Sequence, residues 1–151
     1  MQLAEAFASE LVGQPVHLLA GTQHVRIGRV EDVAVAGAET FPSVIGLYIK
    51  GNDGVRRYAP FASIDSLGPK NITLAAAPVD ALNASAGSGQ LLLNKELLDK
   101  QIVDVDGRKV VRVNDVKLAP AGNSLRVIAA DVGLPGLLRR LGLHALGQRL
   151  E

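Results

Sequence analysis

QIVDVDGRKVVRVNDVKL, residues 101–118, has two arms with apolar residues at alternating positions. Ile102 leads the first arm, Val111, Val113 and Val116 follow in the second, and Asp106 and Gly107 lie between them. Alternation at period two marks strands with one buried face, and Asp-Gly supplies the positive φ angles of a tight hairpin turn. Part of this stretch occurs twice. GRVEDVAV, residues 28–35, aligns with VRVNDVKL, residues 111–118, matching Arg29 to Arg112, Val30 to Val113, Asp32 to Asp115 and Val33 to Val116. At the same offset VIGLYI, residues 44–49, falls on VIAADV, residues 127–132. The sequence is a tandem repeat.

The chain has 151 residues, enough for two small units, and 48% of them are apolar. Aromatics are 3% and Trp is absent, so Val, Ile, Leu and Ala must fill the core, a composition that suits pleated strands. A net charge of +1 gives no global field to attract a polyanion, and nucleic acid is therefore an unexpected partner. With no Cys, disulfides, thiolate nucleophiles and Cys-containing zinc sites are excluded. The opening LAEAFASELVG has neither a basic leader nor an apolar run of spanning length, so the expected location is cytoplasmic, at a membrane only through a partner.

The expected organisation is a first unit over 1–77, a flexible linker over 78–90, a second unit over 91–133 and a helical tail over 134–151. Leu3, Phe7 and Leu11 fall four apart, predicting one or two helical turns before a strand at Pro15. Val25, Ile27, Val30, Val33 and Val35 change parity once, which predicts a bulge near Gly28. ASAGSGQ, residues 84–90, has little to bury and reads as linker, and KELLDK beyond it has helical character. The second unit is shorter, without a clear match to the strands that finish the first. In the tail, Leu134, Leu137, Leu138, Leu141 and Ala145 share one helical face, while Leu143, Leu146 and Leu150 lie opposite. That excess of apolar surface points to a neighbour: a protein partner or a second copy.

Asp104, Gly107, Arg108, Lys109, Val110, Arg112, Val113, Asn114, Asp115 and Val116 form the pattern D-x-x-G-R-K-V-x-R-V-N-D-V, which resembles a PRC-barrel domain. The following D-V-G-L-x-G-L-L-R-R-L-G, residues 131–142, is similar to the version at the amino-terminal end of bacterial MgtE-type magnesium transporter-like proteins, ahead of helical and CBS regulatory domains. The first unit fits more loosely, through Leu11, Val12, Gly13, Val16, Gly28 and VEDV. The resemblance implies a mainly β chain of two tandem, small, bent β-barrels with a short C-terminal helical tail. It also implies a non-catalytic interaction or regulatory role, with no cofactor and a membrane transporter as a possible partner. PRC barrels occur too in a ribosome maturation factor, so binding of ribosomal protein or RNA is the alternative.

Candidate sites weigh toward structure. DVDG, with Asp104 and Asp106, lacks the oxygen ligands past the glycine and the distal Glu that a calcium loop needs. The repeated Asp32 and Asp115 are expected to bind backbone amides or to pair with Arg29 and Arg112. His17, His24 and His144 share no metal-ligand spacing, Ser63, Ser85, Ser88 and Ser124 lack a nucleophile elbow, and GSGQ is not a phosphate loop. Arg56, Arg57 and Tyr58 form a small basic and aromatic spot of the kind RNA uses, but stacking residues are few. No catalytic or metal site is expected. The expected interaction residues are Leu134, Leu137, Leu138, Leu141, Leu143, Leu146 and Leu150, with Arg139 and Arg140.

Overall fold

The computed structural model describes residues 1–81, 89–103, 110–132, 138–139 and 149–150. The first repeat runs β1 (Gln2–Leu3), β2 (Ala6–Phe7), a helical turn α1 (Ala8–Leu11), β3 (Pro15–Ala20), β4 (Gln23–Ala36), β5 (Val44–Gly51), β6 (Arg56–Pro60), a 3-10 turn Phe61–Ser63, β7 (Ile64–Leu67), β8 (Ile72–Leu74) and β9 (Val79–Asp80). The second runs β10 (Gln90–Leu92), a π-helical turn Leu93–Leu97, β11 (Gln101–Val103), β12 (Val110–Arg112), β13 (Asp115–Ala121), β14 (Ser124–Asp131), β15 (Leu138–Arg139) and β16 (Arg149–Leu150). The chain is mainly β. The largest sheet has the order β1-β7-β8-β3-β4-β5-β6-β9, with β10 added to β4 beyond the end of β3, and no closed barrel forms among the described strands.

The parity slip in β4 is a bulge at Ile27. Val16 pairs with Gly28 and His17 with Arg26, so Ile27 drops out of register. Gly28 is required there, because a Cβ would lie 2.2 Å from the Lys50 carbonyl oxygen.

The duplication holds at the level of register. β4 pairs antiparallel with β5 through Asp32 and Tyr48, Val33 and Leu47, and Ala34 and Gly46, then shifts before Val35 meets Val44. β13 pairs with β14 through Asp115 and Asp131, Val116 and Ala130, and Lys117 and Ala129, then shifts before Leu118 meets Val127. The same hairpin with the same bulge is thus built twice.

Each hairpin is completed by the other repeat. β10 of the second repeat pairs with β4, Leu91 on Val35 and Leu92 on Ala34, while β2 of the first pairs with β13, Ala6 on Leu118 and Phe7 on Lys117. The turns that follow are equivalent apart from one inserted residue. Val12 N–H closes α1 on the Ala8 carbonyl at 3.0 Å, and Leu98 N–H closes the π turn on Leu93 at 2.8 Å, one residue further. Both turns then reverse through a left-handed residue, Gly13 at φ 87° and Asp99 at φ 62°. Reciprocal backbone bonds follow, Gly13 with Val30 and Val30 with Gln14 in one repeat, Asp99 with Val113 and Val113 with Lys100 in the other. We refer to β2–α1 and β10 with its π turn as the two hooks.

Because the hooks are exchanged, the units share one core. Leu11, Val16, Val35, Leu47 and Ile72 belong to the same buried cluster as Leu93, Leu97, Ile102, Leu118 and Leu125. A smaller cluster of Ala34, Tyr48, Tyr58, Ala81 and Leu92 lies apart from it.

Several expectations are corrected. The expected helical turn before Pro15 forms at Ala8–Leu11, but Leu3 and Phe7 lie in short strands, Phe7 pairing with Lys117. The linker is shorter than 78–90, because Val79 and Asp80 pair with Tyr58 and Arg57, and Gln90 begins β10; residues 82–88 lie outside the described residues. The 101–118 stretch is not one hairpin. Gln101–Val103 pairs with Val110–Arg112, but β13 joins a different sheet, and the Asp106-Gly107 joint lies outside the described residues. Within the tail, Leu138 and Arg139 are strand, paired with Asp131 and Ala130, and Leu150 is strand, paired with Gln101. β15 occupies the place that β6 takes beside β5, so the second repeat has a counterpart to that strand after all.

Candidate functional site

The repeated aspartates sit where the exchanged hooks dock. Asp32, 3% exposed, accepts backbone N–H bonds from Val33 at 2.8 Å and Asn94 at 2.7 Å on Oδ1, and from Lys95 at 2.9 Å on Oδ2. Asp115 accepts from Val116 N–H at 2.9 Å and Ser9 N–H at 3.1 Å on Oδ1, and from the Ser9 hydroxyl on Oδ2. Ser9 and Asn94 are equivalent positions. The amide of the inserted Lys95 takes the place that the Ser9 hydroxyl fills in the other repeat. Each carboxylate therefore caps the first turn of the hook from the other repeat, satisfying amides that the turn leaves without partners. The hooks add their own closure, Glu10 accepting from Phe7 N–H at 2.8 Å and Glu96 from Leu92 N–H at 2.7 Å.

Burial pushes the Asp32 carboxyl above its ordinary range, against the three amide bonds that favour its charge. Each carboxylate thus spends both lone pairs of Oδ1 and one of Oδ2 on its own following amide and the hook it holds. Asp32 and Asp115 were expected to bind amides or pair with neighbouring arginines, and the amides win. Arg112 pairs instead with Asp99 at 2.9 Å.

A second fastening joins the loop after β4 to β14. Arg126 donates to Glu39 at 3.2 Å and to the Phe41 carbonyl at 2.9 Å, while Ser43 donates to Glu39 through both its N–H, at 3.0 Å, and its hydroxyl. The Ser43 bonds, with Arg126, hold the Glu39 carboxyl below the usual range.

The basic and aromatic spot is divided between the two faces of β6. Arg56 stacks over the Tyr48 ring at 4.1 Å and pairs with Glu31 at 3.3 Å. Arg57 grips Asp53 through two bonds, at 3.1 and 2.8 Å. Tyr58 is buried against Tyr48 with ring centroids 5.0 Å apart, its hydroxyl donating to the Ile45 carbonyl, and burial raises its pKa. It packs over Gly46, where a Cβ would lie 2.2 Å from the Tyr58 hydroxyl oxygen. No open stacking platform results from these three residues.

Arg57 and the Val55 amide hold Asp53 at about 2, against 3.8 ordinarily. A depressed pKa stabilises the fold above the unfolded value and loses that contribution as pH falls through the folded one. The Arg57–Asp53 clasp is thus expected to open between pH 3.8 and about 2. Carboxyl NMR should show a midpoint near the lower value, and Arg57→Gln should return it toward the ordinary one; a midpoint already ordinary in the parent would remove the clasp.

Ser63 and Ser124 donate to the carbonyls of Pro60 and Ala121, ending as turn residues. No group of three or more His, Asp or Glu side chains suited to a metal occurs among the described residues, and none of their helices is long and apolar enough to cross a membrane. Ser85, Ser88, Asp104, Asp106 and His144 lie outside the described residues, as do Leu134, Leu137, Leu141, Leu143, Leu146 and Arg140 of the tail. The exchanged hooks, which join the repeats, were not anticipated; the signal available was E-L-V-G-Q against E-L-L-D-K-Q after an apolar pair. Compared with family models, curated proteins and solved structures, the chain matches none.

Proposed function

We propose that this chain is a non-catalytic interaction module of the PRC-barrel type, built from two repeats, working as the accessory part of a magnesium transporter-like system. The observation that carries the reading is the use made of the repeated polar residues. Asp32 and Asp115 are acids that the duplication retains on its strands, and both are consumed in fastening one repeat to the other. A chain that commits its repeated acids to its own assembly acts as a rigid body presenting surfaces to partners. The tail is the proposed contact, through Leu134, Leu137, Leu141, Leu143 and Leu146, with Arg139 and Arg140 around them.

The test is recovery from cells of the parent and of the Leu143→Ser, Leu146→Ser variant. Recovery of the parent with membranes carrying a magnesium transporter-like protein, lost in a variant of unchanged thermal stability, is the expected result. Recovery with ribosomal subunits would hand the chain to the maturation-factor alternative. A monomer recovered with neither would overturn the proposal.

A further inference from the structure

The outer face of the large sheet carries cations where sheet energetics disfavours them. Arg29 on β4 is the cross-strand partner of Lys50 on β5, and Lys50 is the partner of Arg56 on β6, so three cations stand in one row. Like charges directly opposite one another are destabilising. Arg56 is compensated by Glu31 and the Tyr48 ring, but Arg29 and Lys50 have no ion pair or side-chain hydrogen bond among the described residues. Arg26, equally uncompensated, joins them across the Ile27 bulge.

Arg26, Arg29 and Lys50 line an open pocket of about 200 Å³ together with Gly28, Gly51 and Asn52. The bulge and the β5–β6 turn give it a fixed wall. Asn52 N–H donates to the Ile27 carbonyl at 3.1 Å and its Nδ2 to the Arg26 carbonyl at 3.0 Å, tying the turn to the bulged strand. Arg26, Gly51 and Asn52 also line an adjoining groove of about 350 Å³, where Leu18, Ile27, Ile49, Ala77 and Pro78 supply apolar walls. The one carboxylate on that groove, Asp53, has both oxygens bound by Arg57, which cancels its charge.

We infer that Arg26, Arg29 and Lys50 form a binding site for a phosphate monoester carrying an apolar substituent, the phosphoryl group in the basic pocket and the substituent in the adjoining groove. Three uncompensated positive charges match a group bearing about −1.5 to −2 better than a single carboxylate. The pocket is sized for one such group, and Arg offers it paired donors. The unfavourable Arg29–Lys50 pairing is then relieved by the ligand. The site is independent of the proposed tail contact.

The test uses the full chain and calorimetric titration with hexyl phosphate, inorganic phosphate, a single-stranded oligonucleotide, and vesicles with or without phosphatidic acid. Hexyl phosphate should bind saturably and more tightly than inorganic phosphate, or phosphatidic acid vesicles should bind where plain ones do not; the first result assigns a soluble ligand and the second a lipid headgroup. Arg29→Gln with Lys50→Gln should weaken binding at least about tenfold while leaving the urea midpoint unchanged or raised, because the mutual repulsion is gone. Binding unaltered by these substitutions would overturn the assignment, as would absence of binding in every arm. Preference for a single-stranded oligonucleotide over both phosphate esters would overturn it in favour of nucleic acid.

Discussion

Leu97→Ala should destabilise the entire chain, not only the second repeat, by about 3 kcal/mol. Leu97 is fully buried at the end of the π turn, and its counterpart Leu11 is fully buried at the end of α1. Both belong to the single cluster that spans the repeats, and the two turns touch. Removing three heavy atoms from such a site forfeits their transfer free energy and leaves a cavity that neighbours fill only in part. Since each hook anchors on the other repeat, loosening one removes surface from both. Urea unfolding followed by the tyrosines and by backbone circular dichroism should give one coincident transition, shifted to lower urea by either Leu97→Ala or Leu11→Ala. Two separable transitions, with only one moved, would show that the repeats fold independently and would defeat the shared-core account. The double variant should depart from additivity, because the substitutions fall on touching elements.

The second large effect belongs to Asp32. Asp32→Ala strips the acceptor from the Val33, Asn94 and Lys95 amides together, at a cost of about 2–4 kcal/mol. Asp32→Asn keeps an oxygen for Val33 and Asn94 and no longer buries a charge, but it turns an NH₂ toward the Lys95 amide; a loss of about 1–2 kcal/mol is expected. Asp115→Ala should cost less than Asp32→Ala. Asp115 is only half-buried and Ser9 is exposed, so water replaces part of what is lost. Equilibrium denaturation of the three variants gives the ranking, and an Asp32→Ala variant as stable as the parent would show that the cap contributes nothing.

Much of this architecture was legible locally. Alternation located the strands, because a strand with one buried face repeats every second residue whatever it packs against. The slip between Ile27 and Val30 announced the bulge for the same reason. The offset that matches Asp32 to Asp115 carried through to strand register and to amide capping. The tail was read less well. Leu138 and Leu150 satisfy a helical periodicity, yet Leu138 pairs with Asp131 and Leu150 with Gln101, edge positions whose open hydrogen-bonding groups accept a strand irrespective of helical pattern. The basic cluster was missed because Arg26 and Arg29 share a face only through the bulge between them, and Lys50, distant in sequence, joins them only through a cross-strand pair.

The sequence by itself determined that this chain is built twice from one β unit, with a carboxylate kept at the same point of each copy. Only the tertiary structure decided which hook fills which groove. The two grooves present the same kind of strand edge, leucine-accepting core and carboxylate, and the hooks differ by one inserted residue, so the local pattern alone does not pair hook with groove. The choice rests on the path of the connecting chain and on the gain from closing one continuous core, neither of which any window of sequence records.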